Sequence, residues 1–407
     1  MARIVQINIT ASQCSSLAGR AAAALAEAPA TVLEARAACV FGEHTLGLVV
    51  HFEQGDERVW VAVLQAAEPA AHIRTRELTP AAYAALMAEQ AAPRHVLTVL
   101  SRRISAGQLA KAVAIVEAHG LHVEGVQRLS APAPLQGGAN ACFELTLAGH
   151  IENTEALRAE LLAAASELEM DLALQADDLP RRHRRLAVFD MDSTLIQAEV
   201  IDELAKAAGV GERVSEITER AMRGELDFRA SFTERLALLK GLDVSVLDAI
   251  GASLRLTEGA EQLFAGLHRL GYKTAILSGG FTYFARQIQA RLGIDYVFAN
   301  ELEVVDGKCT GVAVEPIVDA QRKADLLREL AAKEGVSLEQ TVAVGDGAND
   351  LPMLALAGLG VAFRAKPLVR QSAQQAITTV GLDGVLYLLG VKEDAGASNV
   401  TPNTHTH

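Results

Sequence analysis

The run Leu186-Ala187-Val188-Phe189-Asp190-Met191-Asp192-Ser193-Thr194 constrains this chain more than any other stretch. A short apolar segment, rich in β-branched and aromatic residues, ends abruptly in two carboxylates and two hydroxyls. Such a segment reads as a buried strand of a parallel sheet. In open α/β sheets the working groups gather beyond the carboxyl ends of the strands, and Asp190 and Asp192 fall there. Two neighbouring acids repel unless a cation or a shared proton intervenes. The pair therefore points to a hard cation with oxygen ligands, Mg²⁺ first. The same residues also fit a strand-to-helix turn capped by Ser193 or Thr194, so the remainder of the chain has to decide.

With 407 residues, half of them hydrophobic, the chain is long enough for two or three globular domains. A formal net charge of -13 excludes a general nucleic-acid or anionic-membrane binder. The basic cluster Arg181-Arg182-His183-Arg184-Arg185 is read as a solvated interdomain linker. Cys14, Cys39, Cys142 and Cys309 are far apart and show no C-x-x-C spacing, so reduced thiols, mostly in the core, are expected, with Cys14 exposed. No basic start followed by an apolar block opens the chain, and no apolar stretch approaches a membrane span. A cytoplasmic protein is expected.

Alternating or β-branched runs at 3–10, 31–40, 46–52 and 72–78, with helical stretches at 17–25 and 59–65, give the order β-α-β-β-α-β. The order recurs with strands at 96–100, 123–129, 142–147 and 170–174 and helices at 108–119 and 154–168; Pro132-Ala133-Pro134 and Gly137-Gly138 mark a loop between its middle strands. A repeated split β-α-β unit predicts two ferredoxin-like α+β modules, over residues 1–90 and 91–180. Beyond the basic cluster, helix 199–209 and an Ala/Leu/Glu/Arg-rich block at 211–251 precede helix 258–270 and the strand 274–277. The block is too long for one crossover helix, so a small helical cap is expected at about 205–255. A hairpin around Asp306-Gly307, a helix after Asp319 and the strand 341–344 follow, and residues 359–363 are expected to close the sheet. The predicted α/β domain covers 181–392, and the polar tail 393–407 is expected to be disordered.

Four signals stand at predicted strand ends in one order: Asp190-x-Asp192, Ser278, Lys323 and Gly345-Asp346-x-x-Asn349-Asp350. Each alone has a plain structural reading, as a helix cap, a solvated lysine or a turn. Together they resemble the haloacid dehalogenase superfamily of phosphotransferases, over about residues 184–390, with its Rossmannoid parallel sheet. That resemblance implies Asp190 as nucleophile, Asp192 as general acid and base, and Lys323 as the neutralising cation. It implies Mg²⁺ held by Asp190, the backbone carbonyl of Asp192 and Asp346, with Asp350 supporting the metal's waters or Lys323. Ser278, Asn349 and the amides of Gly279 and Gly280, placed at a helix start, would hold phosphate oxygens.

Within that superfamily, Phe189-Asp190-Met191-Asp192-Ser193-Thr194-Leu195-Ile196 with Glu199, and Met222-Arg223-Gly224-Glu225-Leu226-Asp227-Phe228 with Arg235, resemble the phosphoserine phosphatases. The resemblance implies Glu199 pairing with a substrate ammonium, Arg235 with its carboxylate, and Met222 and Phe228 shielding the site. The expected reaction is hydrolysis of O-phospho-L-serine to L-serine and phosphate, the last step of serine biosynthesis. A phosphatase for another small phosphomonoester, or an amino-acid-binding regulator with a vestigial catalytic half, remains the alternative. The two leading modules resemble ACT domains, which implies an amino-acid effector and a homodimer. Their loops after the first strand, Ala11-Ser12-Gln13-Cys14-Ser15 and Ser101-Arg102-Arg103-Ile104-Ser105-Ala106-Gly107, lack the acid of that family's turn, and only the second keeps a glycine. Scaffolding without a ligand fits them equally.

Overall fold

The computed structural model describes residues 3–12, 17–26, 30–53, 57–132, 140–223 and 225–393, with the side chains of Glu57 and Met222 excepted. Cys14, Pro134, Gly137, Gly138, Gly224 and the tail beyond 393 lie outside the described residues. The chain divides into two compact units, Met1–Ala92 and Pro93–His407.

In the first unit the strands β1 (Arg3–Ser12), β2 (Ala30–Val40), β3 (Glu43–Phe52) and β4 (His72–Leu78) form an antiparallel sheet in the order β2-β3-β1-β4. Helices α1 (Leu17–Ala26) and α2 (Glu57–Ala67) contribute Leu17, Trp60 and Leu64 to a core with Ile7, Ile9 and Val50. The period-two alternation of β1 puts Val5, Ile7, Ile9 and Ala11 on one buried face. Helix α3 (Pro80–Gln90) was not singled out in the sequence. Its start is set by Pro80 in the first turn and by the Thr79 hydroxyl, which accepts from the Ala82 amide at 3.1 Å. Nothing on α3 is buried, so its apolar pattern is too weak to announce it.

The second unit opens with the same order: β5 (Arg94–Ser101), α4 (Ala106–Ala118), β6 (Leu121–Arg128), β7 (Ala141–Gly149), α5 (Thr154–Glu167) and β8 (Asp171–Ala176), in a sheet ordered β6-β7-β5-β8. The short α6 (Leu179–Arg182) leads into β9 (Leu186–Phe189). The cap follows as α7 (Val200–Ala207), α8 (Gly211–Met222), α9 (Phe228–Ala237) and α10 (Ser245–Ser253). Then come α11 (Ala260–Arg269), β10 (Lys273–Phe281), α12 (Thr282–Leu292), β11 (Tyr296–Asn300), the hairpin β12 (Leu302–Val305) and β13 (Lys308–Ala313), and α13 (Ala320–Glu334). The chain ends with β14 (Thr341–Gly345), α14 (Leu351–Leu356), β15 (Leu359–Phe363), α15 (Pro367–Ser372), β16 (Gln375–Ile377) and α16 (Gly384–Leu388).

Six of these strands form one parallel sheet in the order β11-β10-β9-β14-β15-β16. Central β9 pairs with β10 on one side and β14 on the other, Phe189 opposite Ile276 and Val344. Its side chains alternate between two cores, Ala187 and Phe189 in one, Leu186 and Val188 in the other, which is why a continuous apolar run is needed there. The sheet does not end at β15 as expected; β16 adds an edge strand too short for periodicity to reveal.

The basic cluster is not a solvated linker. Arg181 and Arg184 are buried. Arg181 pairs with Glu144 at 2.9 Å and Asp177 at 3.7 Å, joining α6 to the second α+β module. That module is fused to the parallel sheet, with Leu100, Leu129, Cys142 and Ala173 in one core with Ile377, Val380 and Val385. The buried Asp171 carboxylate accepts from the amides and hydroxyls of Thr378 and Thr379, at 2.6 to 2.9 Å. Of the described cysteines, Cys142 and Cys309 are buried and Cys39 is exposed, contrary to the core expectation for the last.

The cap joins the sheet through two roots. Ile196 bridges Leu256, the Gln197 amide donates to the Arg255 carbonyl at 3.0 Å, and the Thr257 amide to the Leu195 carbonyl at 2.9 Å. At the return root Glu258 is held by Arg102 of the second module (2.6 Å) and by Arg364 (2.8 Å). Among the described residues no helix is long and apolar enough to cross a membrane.

Candidate active site

The sheet brings Asp190, Asp346, Asp350 and Lys323 together at the carboxyl ends of β9 and β14. The Asp190 amide donates to the Val344 carbonyl at 2.9 Å, which fixes where its side chain leaves the ladder. Carboxylate oxygens of Asp190, Asp346 and Asp350 lie within 4.8 Å of one another. Lys323, on α13, is fully buried; its Nζ lies 2.7 Å from Asp190 Oδ1 and 2.7 Å from Asp350 Oδ1. Only the Asp350 contact is aligned as a hydrogen bond, so Asp190 Oδ1 is buried without a donor aimed at it. Asp350 has both oxygens engaged, Oδ2 accepting from the Gly347 amide at 3.0 Å. Gly345 makes room for it, since a Cβ there would stand 2.4 Å from the Asp350 carboxyl carbon.

Burial and crowding leave these acids reluctant to ionise. Asp190 is pushed up to about 8 by burial and by Asp350, with Lys323 pulling the other way. Asp346 rises to about 7 through burial, Asp350 and Glu199. Burial opposes the Lys323 ammonium, but Asp190 and Asp350 outweigh it and hold the proton on. One lysine thus faces three carboxylates, a deficit of positive charge that a divalent cation would remove. The orphaned Asp190 oxygen and the Asp346 carboxylate fit such an ion; Asp350, with both oxygens taken, supports from behind.

Asp192 points elsewhere. Its Oδ1 accepts from the Val200 amide at 3.2 Å at the start of α7. Its Oδ2 stands 2.4 Å from where a Cβ on Gly280 would be, so only glycine lets the Gly280 backbone pass this close. Burial, Glu199 and Asp190 raise Asp192 well above the ordinary carboxylate range, against the pull of the Val200 amide. Between Asp192 and Thr194 the chain turns through Ser193 at φ 55, a left-handed conformation away from glycine. That turn lets the Ser193 hydroxyl donate to Glu199 Oε1 at 2.7 Å and the Thr194 hydroxyl to Asp346 Oδ1 at 3.1 Å.

Gly279 and Gly280 belong to β10, not to the start of α12 as expected, because the strand continues through Phe281. The register with β11 breaks between Leu277 and Phe281, freeing this segment from ladder pairing. The buried Ser278 hydroxyl accepts from the Gly280 amide at 2.9 Å, and the Gly279 carbonyl accepts from Asn300 Nδ2 at 2.8 Å. Asn349 sits in a single 3-10 turn beside Gly347.

The sequence model of the haloacid dehalogenase-like hydrolases matches residues 187–355. A phosphoserine phosphatase of Streptomyces coelicolor is 48% identical over 301 residues, 74% of this chain and 72% of the relative. The chain belongs to the phosphoserine phosphatase family. Another member, from Archaeoglobus fulgidus, is 49% identical over 233 residues, 57% of this chain and 68% of the relative. The unliganded crystal structure of a probable phosphoserine phosphatase from Vibrio cholerae superposes with a TM-score of 0.59 at 39% identity, over 73% of this chain and 86% of that one.

In this member of the family the cap closes on the catalytic end. Phe228 stacks on Phe232 with ring centroids 6.1 Å apart, and its Cζ lies 2.9 Å from the Cβ position of Gly279. Arg235, also on α9, is half-buried and forms no ion pair with any described residue. Burial lowers its guanidinium, while Asp202, Glu199 and Asp192 lean the other way, placing a lone cation in an acidic surround. No pairing between Glu199 and Arg235 uses either up. Met222 ends α8, and its side chain lies outside the described residues. Thr194 and Asn300 were not singled out in the sequence. Thr194 adjoins the acid pair and was legible in principle; Asn300 carried no signal, since its partners Gly279 and Val318 are distant in sequence.

Proposed function

We propose that this chain is a Mg²⁺-dependent phosphoserine phosphatase working through an aspartyl-phosphate. The observation that carries the reading is the division of labour between two acids two residues apart. Asp190 has a buried oxygen with no hydrogen bond, beside Lys323, whereas Asp192 turns away to the Val200 amide and the Gly280 backbone, where burial favours its acid form. Asp190, the Asp192 carbonyl and Asp346 would hold the cation. Bound there, it would neutralise phosphate charge and keep Asp190 ionised.

Asp190 attacks phosphorus as the serine oxygen departs, and Asp192 gives its proton to that oxygen. Asp192, now a carboxylate, takes a proton from water as the water attacks the aspartyl-phosphate, releasing phosphate and restoring Asp190. Lys323 holds the Asp190 carboxylate in line and balances charge on the transferring group. Ser278, Asn349 and the freed backbone at Gly279 and Gly280 receive phosphate oxygens. Arg235 takes the substrate carboxylate, Glu199 its ammonium, and Phe228 with Met222 keeps water out.

The reading takes residues 1–90 and 91–180 as ACT-like modules, 181–392 as the phosphatase domain with its cap at about 205–255, and the protein as a cytoplasmic homodimer with an amino-acid effector. Supporting self-association, β2 is an edge strand whose residues are largely uncovered, with Val40 and the hairpin-tip Phe41 exposed.

Phosphate release from L-phosphoserine, with Mg²⁺ and with EDTA, tests the chemistry. Rapid release in Mg²⁺ only, lowered about a hundredfold or more in kcat/KM by Arg235→Ala, is expected. Equal turnover of phosphoserine and of an aryl phosphate lacking ammonium and carboxylate would leave the nucleophile standing and overturn the substrate.

A further inference from the structure

Two adjoining cavities of about 600 and 440 Å³ lie between α5 of the second module and α15 and β16 at the edge of the parallel sheet. They share Arg158, Leu162, Leu172, Arg370 and Ala376, and so form one cleft with a wall from each side. The smaller reaches Arg184, Glu339 and Gly358, which precede β9, β14 and β15. The cleft therefore runs along the β16 edge of the sheet, from the amino ends of β9, β14 and β15 to Thr378 just beyond β16.

Three of its arginines lack a counter-charge. Arg184 is 4% exposed, yet its guanidinium meets only neutral oxygens: Nη1 donates to Gln175 Oε1 at 3.0 Å and Nη2 to the Gly358 carbonyl at 3.3 Å. Its Nε is buried with no partner. Arg158 donates only to the Gln371 carbonyl, at 3.3 Å, and Arg370 makes no side-chain hydrogen bond or ion pair with a described residue. Burial pushes Arg184 down to about 10, which still leaves it charged at neutral pH. Arg181 beside it differs, being paired with Glu144 and Asp177. Of the acids on the cleft, Asp171 is buried with both oxygens taken by Thr378 and Thr379. Asp178 caps α6 and acts on Arg184 only through space, and Glu155 and Glu339 are exposed at the rim. A buried cation is costly unless an anion answers it. In a chain of net charge -13, three unanswered arginines on one cleft mark the place where an anion is expected.

We propose that this cleft is a second ligand site, which takes a small carboxylate or phosphate on Arg158, Arg184 and Arg370 and ties the second module to the sheet edge. The phosphoryl-transfer centre is not involved, so the site stands or falls separately from the catalytic reading.

Equilibrium dialysis of the full Mg²⁺-loaded protein against labelled inorganic phosphate, and separately against labelled L-serine, tests it. The wild type is expected to bind one more equivalent of at least one probe than Arg158→Ala/Arg370→Ala. The double variant is expected to keep kcat/KM on phosphoserine within about twofold, since these half-buried side chains are remote from the reaction. Competition between the probes for the extra equivalent assigns the site to both oxyanions; loss of one probe alone assigns it to that one. Equal stoichiometry of both probes in wild type and double variant overturns the proposal. Arg184→Gln, if it folds, should lose the same equivalent; if it does not, the double variant carries the test.

Discussion

The two ends of the parallel sheet invert one another's electrostatics. At the carboxyl end three carboxylates crowd round Lys323, and the deficit is positive charge. At the amino end Arg184 is buried among neutral groups, and the deficit is negative charge. Both ends bury ionisable groups, but only the first answers its cation from within the chain. A buried ion that has its partners is costly to remove, because removal strands the partners; one that lacks them is cheaper to lose.

The largest expected effect follows from that asymmetry. Lys323→Met leaves Asp190 and Asp350 buried without their cation, and should cost about 3–5 kcal/mol of stability and at least about a hundredfold in kcat. Chemical denaturation and steady-state kinetics check it; a variant within about 1 kcal/mol of wild type would break the comparison. Arg184→Met should cost less, about 1–2 kcal/mol, because it gives up two neutral hydrogen bonds while removing an uncompensated charge. A loss equal to that of Lys323→Met would mean that Arg184 is answered by an anion within the fold.

The smallest effect sharpens the contrast through pH. Asp190 and Asp346 hold their protons to about 8 and about 7 in the fold, against an ordinary 3.8. The unfolded chain therefore loses these protons first as pH rises, so the stability these two groups contribute to the metal-free protein is full below the ordinary value and is lost up to about pH 8. Mg²⁺ competes with those protons. Its thermal stabilisation should be a few degrees larger at pH 8 than at pH 5.5. The opposite order would count against a cation among these carboxylates. Arg184 stays charged throughout that range, so the amino end contributes no such slope.

Legibility in the sequence followed the same division. The convergence of Asp190, Lys323, Asp346 and Asp350 could be read because polar groups placed at the carboxyl ends of neighbouring strands meet there, whatever surrounds them. The repeated order of both α+β modules was readable from alternation, down to β4 at His72–Leu78. Arg184 was misjudged because a sequence displays a charge but not its burial, which here depends on Gly358, 174 positions away. Gly279 and Gly280 were assigned to a helix start because glycine usually ends a strand; the broken register that lets β10 run on is a property of its pairing with β11. β16, three residues long, carries no period to read.

The clamp on Glu258 makes the cap's two roots mechanically unequal. The return root is bolted to the second module by Arg102 and to the sheet by Arg364. The outgoing root is tied instead to the acid loop, the Val200 amide donating to Asp192 at 3.2 Å and the Ser193 amide to the Ala198 carbonyl at 3.2 Å. Residues 197–199 lead from that root into α7, and Glu199 is the last of them before the helix. Glu199 meets Ser193 at 2.7 Å, whereas Lys323 and its acids are held by the sheet and α13. On the proposed reading of Glu199, the joint between cap and sheet is also the place where the substrate's amino group would be met.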